Sequence, residues 1–223
     1  MGTRPIVVHL GLALAMSGAI ACVSGTDAEN ANDAENVGSV DQALVLNLNP
    51  NADTWVQRTS SGFVDYGKSC ELRVNDIHTS SIPALALLKF PVPLSTVCST
   101  LSSATLRLLA DQGFGMPVST HWVSGPWVPG GSGYSPNACS TCNVASTNAV
   151  PFAMPGFGPI VSTAVVDHGC AWYKWDVTAI AKRWCTSGAN NGILLTGERN
   201  VEIASFHSME APAGTRPILE INY

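Results

Sequence analysis

Charge is the scarcest ingredient of this sequence. Only 12% of its 223 residues are Asp, Glu, Lys or Arg, about half the share a soluble domain usually carries, so its surface has to be built from Ser, Thr, Asn and Gly. Residues 43–223 hold 10 Lys and Arg against 11 Asp and Glu, with no basic stripe among them. That excludes nucleic acid as a partner, because phosphates need clustered cations. Catalytic fingerprints are missing as well. There is no G-x-S-x-G elbow, no His-Glu-x-x-His, and no Walker or dinucleotide glycine pattern. His9, His78, His121, His168 and His207 stand without motif context. The expectation is a protein that is not an enzyme.

A long apolar run occurs only at the N-terminus. Arg4 precedes the run over 6–21, which is short, broken by glycine and followed by acids rather than a basic stop-transfer flank. Residues 1–21 therefore read as a signal peptide. Ala19-Ile20-Ala21 suits ordinary signal peptidase, while the same stretch running into Cys22 resembles a bacterial lipobox. Lipidation of Cys22 is the favoured reading, giving a protein exported and either lipid-anchored to a bacterial membrane or secreted, with membrane contact only through that anchor. Residues 22–43 follow as the anchor cysteine and an acidic linker. Asp-Ala-Glu-Asn occurs twice there, at 27–30 and 33–36, with no aromatic residue, so this segment is expected to be disordered and extended.

Setting Cys22 aside leaves six cysteines, Cys70, Cys98, Cys139, Cys142, Cys170 and Cys185. In an oxidising compartment an even set implies three disulfides. Pairing neighbours in sequence predicts Cys70–Cys98, Cys139–Cys142 and Cys170–Cys185. A zinc site built on Cys139 and Cys142 with His168 and Cys170 is the rival.

From residue 44 onward the hydrophobic period is two. Extended runs occur at 44–48, 53–57, 70–74, 84–90, 104–110, 118–123, 160–166, 172–175, 192–196, 201–207 and 218–223, parted by Gly and Pro turns. This pattern predicts an all-β fold, an antiparallel β-sandwich or jelly roll braced by disulfides. One segment has helical spacing. Over 176–184 the apolar positions Val177, Ile180, Ala181 and Trp184 follow i, i+3, i+4, i+7, with Asp176 or Thr178 placed to cap a short helix lidding the sandwich. The stretch 124–159 is dense in Gly, Pro, Ser and Asn and reads as a long loop, of the kind that often carries function.

Sugar recognition needs a flat aromatic face with polar groups beside it. Trp127, lying in that loop between Pro126 and Val128, is the first choice for a ligand-binding residue, accompanied by Trp122, Tyr134, Asn137 and Asn148. Trp55, Trp172, Trp175 and Trp184 are assigned to the core, because each falls in a strand or on the helical stripe. No cofactor is expected beyond a structural calcium ion, for which Asp53 and Asp176, with Asp65 and Asp76, offer carboxylates at strand edges and turns.

Eight short motifs occur in order: Asp53-Thr54-Trp55-Val56; Asp65-Tyr66-Gly67 before Leu72-Arg73-Val74; Ala86-Leu87-Leu88-Lys89-Phe90; Ser103-Ala104-Thr105-Leu106-Arg107-Leu108; Trp172-Tyr173-Lys174-Trp175-Asp176-Val177-Thr178; Asn191-Gly192-Ile193-Leu194-Leu195; Phe206-His207-Ser208-Met209-Glu210-Ala211; and Arg216-Pro217-Ile218-Leu219. Over 44–223 they resemble the DNRLRE domain, grouped with carbohydrate-binding module family 96. The chain departs from that pattern at Met209, in the enlarged segment 124–159 and in its extra cysteines. The resemblance implies a β-sandwich displayed by bacterial surface and secreted proteins, with polysaccharide or cell-surface glycan as the ligand. A structural or adhesive surface protein without a glycan ligand is the alternative, and a cryptic hydrolase the least favoured.

Overall fold

Alternation of apolar and polar side chains along short extended runs leaves each run with one face to hide, and two antiparallel sheets hide those faces against each other. The computed structural model describes residues 44–67, 69–76, 83–129, 150–198 and 203–223, all inside the unit Ser39–Tyr223. In chain order its elements are β1 (Val45–Leu48), β2 (Ala52–Thr59), β3 (Gly62–Asp65), β4 (Glu71–Val74), β5 (Ala84–Lys89), α1 (Leu94–Val97), β6 (Ser103–Gln112), β7 (Met116–Val123), β8 (Val150–Phe152), β9 (Phe157–Val166), β10 (Ala171–Asp176), α2 (Thr178–Ser187), β11 (Ile193–Gly197), β12 (Ala204–His207) and β13 (Ile218–Asn222). The fold is the expected all-β sandwich, and each run read from the sequence overlaps a strand.

β6 is the spine of the first sheet. β10 pairs along one side of it, from Thr105 to Ala110. The other side is shared by β13, opposite Ser103 to Arg107, and β12, opposite Ala110 and Gln112. β1 flanks β13 and β4 flanks β12. The second sheet runs β8-β3-β2-β5-β11-β7-β9.

Between the sheets lie Leu72, Leu106, Leu108, Trp175, Phe206, Leu219 and Ile221 from the first and Trp55, Ala86, Leu88, Val118, Ile193 and Leu195 from the second. Burying each large side chain there contributes about 1.5–3 kcal/mol. Trp175 ties the layers directly, since its indole N–H donates to the Val118 carbonyl at 2.8 Å.

α2 closes one end with Ile180, Ala181 and Trp184 buried, as its stripe predicts. Asp176 accepts the Thr178 amide at 2.9 Å and so organises the helix entry. At the exit Gly188 takes a left-handed φ of 67°, and its N–H caps the Trp184 carbonyl, the role for which glycine is favoured.

The disulfide pairing departs from the sequence expectation. Cys98 bonds to Cys185, so neither Cys70–Cys98 nor Cys170–Cys185 forms. The sandwich brings the end of α1 onto α2 although 87 residues separate the two cysteines in sequence, and proximity along the chain is no guide there. Closing a loop of that size stabilises by on the order of 4–5 kcal/mol in the chain-entropy account. Cys70 and Cys170 are disulfide-bonded too, necessarily to other cysteines, and an oxidised Cys170 is no zinc ligand. Cys139, Cys142 and Cys22 lie outside the described residues.

Candidate functional site

The second sheet is apolar on both faces. Val56, Leu85, Leu87, Val123 and Leu194 point away from the central core and form a second cluster around Trp127, joined by Phe63, Phe152 and Met154. The segment 124–159 is therefore structured where it is described: it supplies β8, which pairs with β3, and it covers this outer face.

Trp127 is the plug of that cover. It is 6% exposed, and its indole N–H donates to the Asn191 carbonyl at 2.7 Å. Its ring is packed against aliphatic side chains, so it offers no stacking face and the sequence assignment as ligand-binding residue is corrected. Trp122 is half-buried against the central core. The Arg183 guanidinium stacks 3.7 Å from its ring centroid, and Gly158 packs so closely that a Cβ there would fall 1.9 Å from ring atoms. Those contacts occupy the ring that a pyranose would need. Tyr134, Asn137 and Asn148 lie outside the described residues.

The structure also separates the proposed calcium carboxylates. Asp53 is 1% exposed, and its Oδ2 accepts the Met209 amide at 2.6 Å. Burial first, and then the neighbouring Glu210 carboxylate, push the Asp53 pKa well up. Burial raises Glu210 as well, so the two carboxyls are held as a proton-sharing pair. Asp176 is exposed on the opposite side of the first sheet's wall, and hydrogen bonds from Thr178 lower its pKa. Each acid has its own hydrogen-bonding duty, and among the described residues no three His, Cys, Asp or Glu side chains gather around one point.

A different aromatic site appears on the outer face of the first sheet. Trp175 points inward from β10, so Trp172, three residues earlier in an extended strand, points outward. It is half-buried rather than in the core, and the core assignment made from sequence holds only for Trp55, Trp175 and Trp184. Strand registers place its neighbours. Trp172 lies opposite Leu109, and the adjacent row runs Lys174, Arg107, Ile218 across three strands. The next row, spanning four strands, is Asp176, Thr105, Glu220 and Asn47. The Arg107 guanidinium sits 5.3 Å from the Trp172 ring centroid, an attraction of about 0.5–1 kcal/mol at such a site, and 3.9 Å from Glu220. Arg107 Nε has no hydrogen-bond partner among the described residues. A partly exposed indole thus has a guanidinium against its ring and an ammonium on the adjacent row, with two carboxylates, a hydroxyl and an amide on the row beyond. This combination suits the C–H face and the hydroxyls of a sugar.

No family model matches the chain, and no curated protein matches its sequence.

Proposed function

We propose that this chain is a non-catalytic, exported bacterial surface module of the DNRLRE, carbohydrate-binding family 96 kind, which holds polysaccharide against the outer face of its first sheet. Trp172 carries the reading: it turns away from the sandwich interior without being buried under a cover, opposite Leu109 and one row from Lys174 and Arg107. The Cys98–Cys185 disulfide supports an oxidising destination and hence export, with Cys22 as the lipid anchor in the tethered form. The test is glycan-array binding by the intact protein beside Trp172→Ala. The reading expects saturable binding to at least one polysaccharide, weakened at least tenfold in the variant. Equal binding by both proteins removes this face from the site.

One observation favours a structural or adhesive role instead. β9 is a ten-residue edge strand with no charged side chain, and Phe157, Ile160 and Val165 on it are exposed. Pro159 and the register shifts beside it guard the start of this edge, but the run 160–166 has no such guard, and apolar edges of that kind tend to recruit another strand. Concentration-dependent sedimentation of the intact protein, abolished by Val165→Lys, would support that reading, and a monomer at all concentrations would exclude it.

A further inference from the structure

At the α2 end of the sandwich, away from the Trp172 face, Trp122, Ser124, Arg183, Trp184, Ser187 and Asn191 line a cleft of about 110 Å³. Its lining is rich in donors and holds no carboxylate. Arg183 is fixed by its 3.7 Å stack on Trp122, which leaves the N–H groups in the guanidinium plane free to point outward. No carboxylate pairs with Arg183 among the described residues, and the side chains of Ser124 and Asn191 make no hydrogen bond there either. Trp184 is 2% exposed, and its indole N–H has no acceptor among the described residues. A buried N–H without a partner costs about 1–3 kcal/mol. The Trp184 carbonyl, by contrast, is already capped by the Gly188 N–H, and Ser187 Oγ donates to the Ala189 carbonyl at 3.3 Å. The Arg183 guanidinium, the Asn191 amide and the Ser124 hydroxyl are thus donors left over in the wall.

We infer that this cleft is a binding site for a small oxyanion, a carboxylate or sulfate group borne by an extracellular ligand. The planar guanidinium meets two oxygens of such a group at once. The Asn191 amide and Ser124 hydroxyl supply further donors. Trp127 is part of the same device at one remove. By holding the Asn191 carbonyl at 2.7 Å, it fixes the main chain from which the Asn191 amide projects. The inference stands apart from the Trp172 face and does not need it.

The test is tryptophan fluorescence and ¹H–¹⁵N NMR titration of the intact protein with sodium acetate and, separately, sodium sulfate, against sodium chloride at equal ionic strength. The expected result is saturable change with one or both oxyanions, centred on the Trp122 and Trp184 indoles and the Asn191 amide, and none with chloride. Saturation by acetate alone assigns a carboxylate, by sulfate alone a sulfate ester. Arg183→Ala should weaken binding at least tenfold. Asn191→Asp, which keeps the carbonyl that Trp127 needs but puts a negative charge in the cleft, should abolish it with the near-ultraviolet dichroism unchanged. Non-saturable responses matching chloride, or saturable binding undiminished in both variants, overturn the inference.

Discussion

Two tryptophans on the two outer faces of the same sandwich have opposite fates, and the strands beneath them say why. β5 reads Ala84-Leu85-Ala86-Leu87-Leu88 and is buried throughout, and Ile193-Leu194-Leu195 of β11 repeats the pattern. Strands apolar on both faces cannot leave either to water, so the second sheet needs a second cover, and Trp127 provides it. β6 reads Ser103-Ala104-Thr105-Leu106-Arg107-Leu108, buried at alternate positions. The first sheet is therefore soluble as it stands, and Trp172 on it has no covering duty. A tryptophan's role follows from the strand pattern under it more than from whether its own neighbours in sequence look like loop or strand.

The largest effect that would break this contrast is on stability. Trp127→Ala should destabilise the fold by about 3–5 kcal/mol in chemical denaturation, the cost of emptying a packed aromatic site, while Trp172→Ala should stay below about 1 kcal/mol. Equal losses would mean the two faces are not distinct. Gly158→Ala comes next. Its Cβ has no room beside Trp122, and overpacking of that kind costs about 1–3 kcal/mol, measurable as a lowered thermal midpoint.

The two acids, Asp53 and Asp176, sharpen the same contrast between inside and outside. Asp53 has a raised pKa from burial and then from Glu210, and Glu210 is raised by burial. Stability from the protonated pair is therefore full below the ordinary carboxylate pKa and is lost as pH climbs through the raised folded values. Asp53→Asn keeps an oxygen for the Met209 amide and removes that titration. It should gain stability relative to wild type as pH rises above the ordinary carboxylate range, by about 1–3 kcal/mol if a buried ionised carboxylate is relieved. Denaturation midpoints that fall in parallel for both proteins would refute the pairing. Asp176 shifts the other way through Thr178, and because it is exposed Asp176→Asn should change stability by no more than a few tenths of a kcal/mol.

Covalent mapping gives the smallest perturbation. Three strand spacings and about three residues of register part Cys70 on β4's edge from Cys170 before β10, about 17 Å by standard sheet dimensions. No tryptic peptide pair should therefore link Cys70 to Cys170, and finding one would contradict the order of the first sheet.

Much of this was legible in the sequence wherever one physical rule acted alone. Period-two runs marked the long strands, and the stripe Val177, Ile180, Ala181, Trp184 marked α2. β3 and β8 escaped because Gly62 and Pro151 are residues that ordinarily argue against a strand, and both lie toward one edge of the second sheet, where such residues are tolerated. The start of β9 at Phe157 was hidden by Gly158 and Pro159 in the same way. The disulfide pairing was illegible because tertiary approach, not chain distance, sets it. Trp172 is legible too: once Trp175 is placed inward, a separation of three in an extended strand turns Trp172 outward. Arg183 gave no signal of its own, since only the packing of α2 on β7 brings it over Trp122.

The most direct measurement is a paired binding comparison on polysaccharide with Trp172→Ala and Trp127→Phe, both confirmed folded. The account predicts that Trp172→Ala loses at least tenfold in affinity while Trp127→Phe, which costs only the bond to Asn191 and some packing, binds like wild type. Retention of binding by Trp172→Ala together with its loss in Trp127→Phe would contradict it.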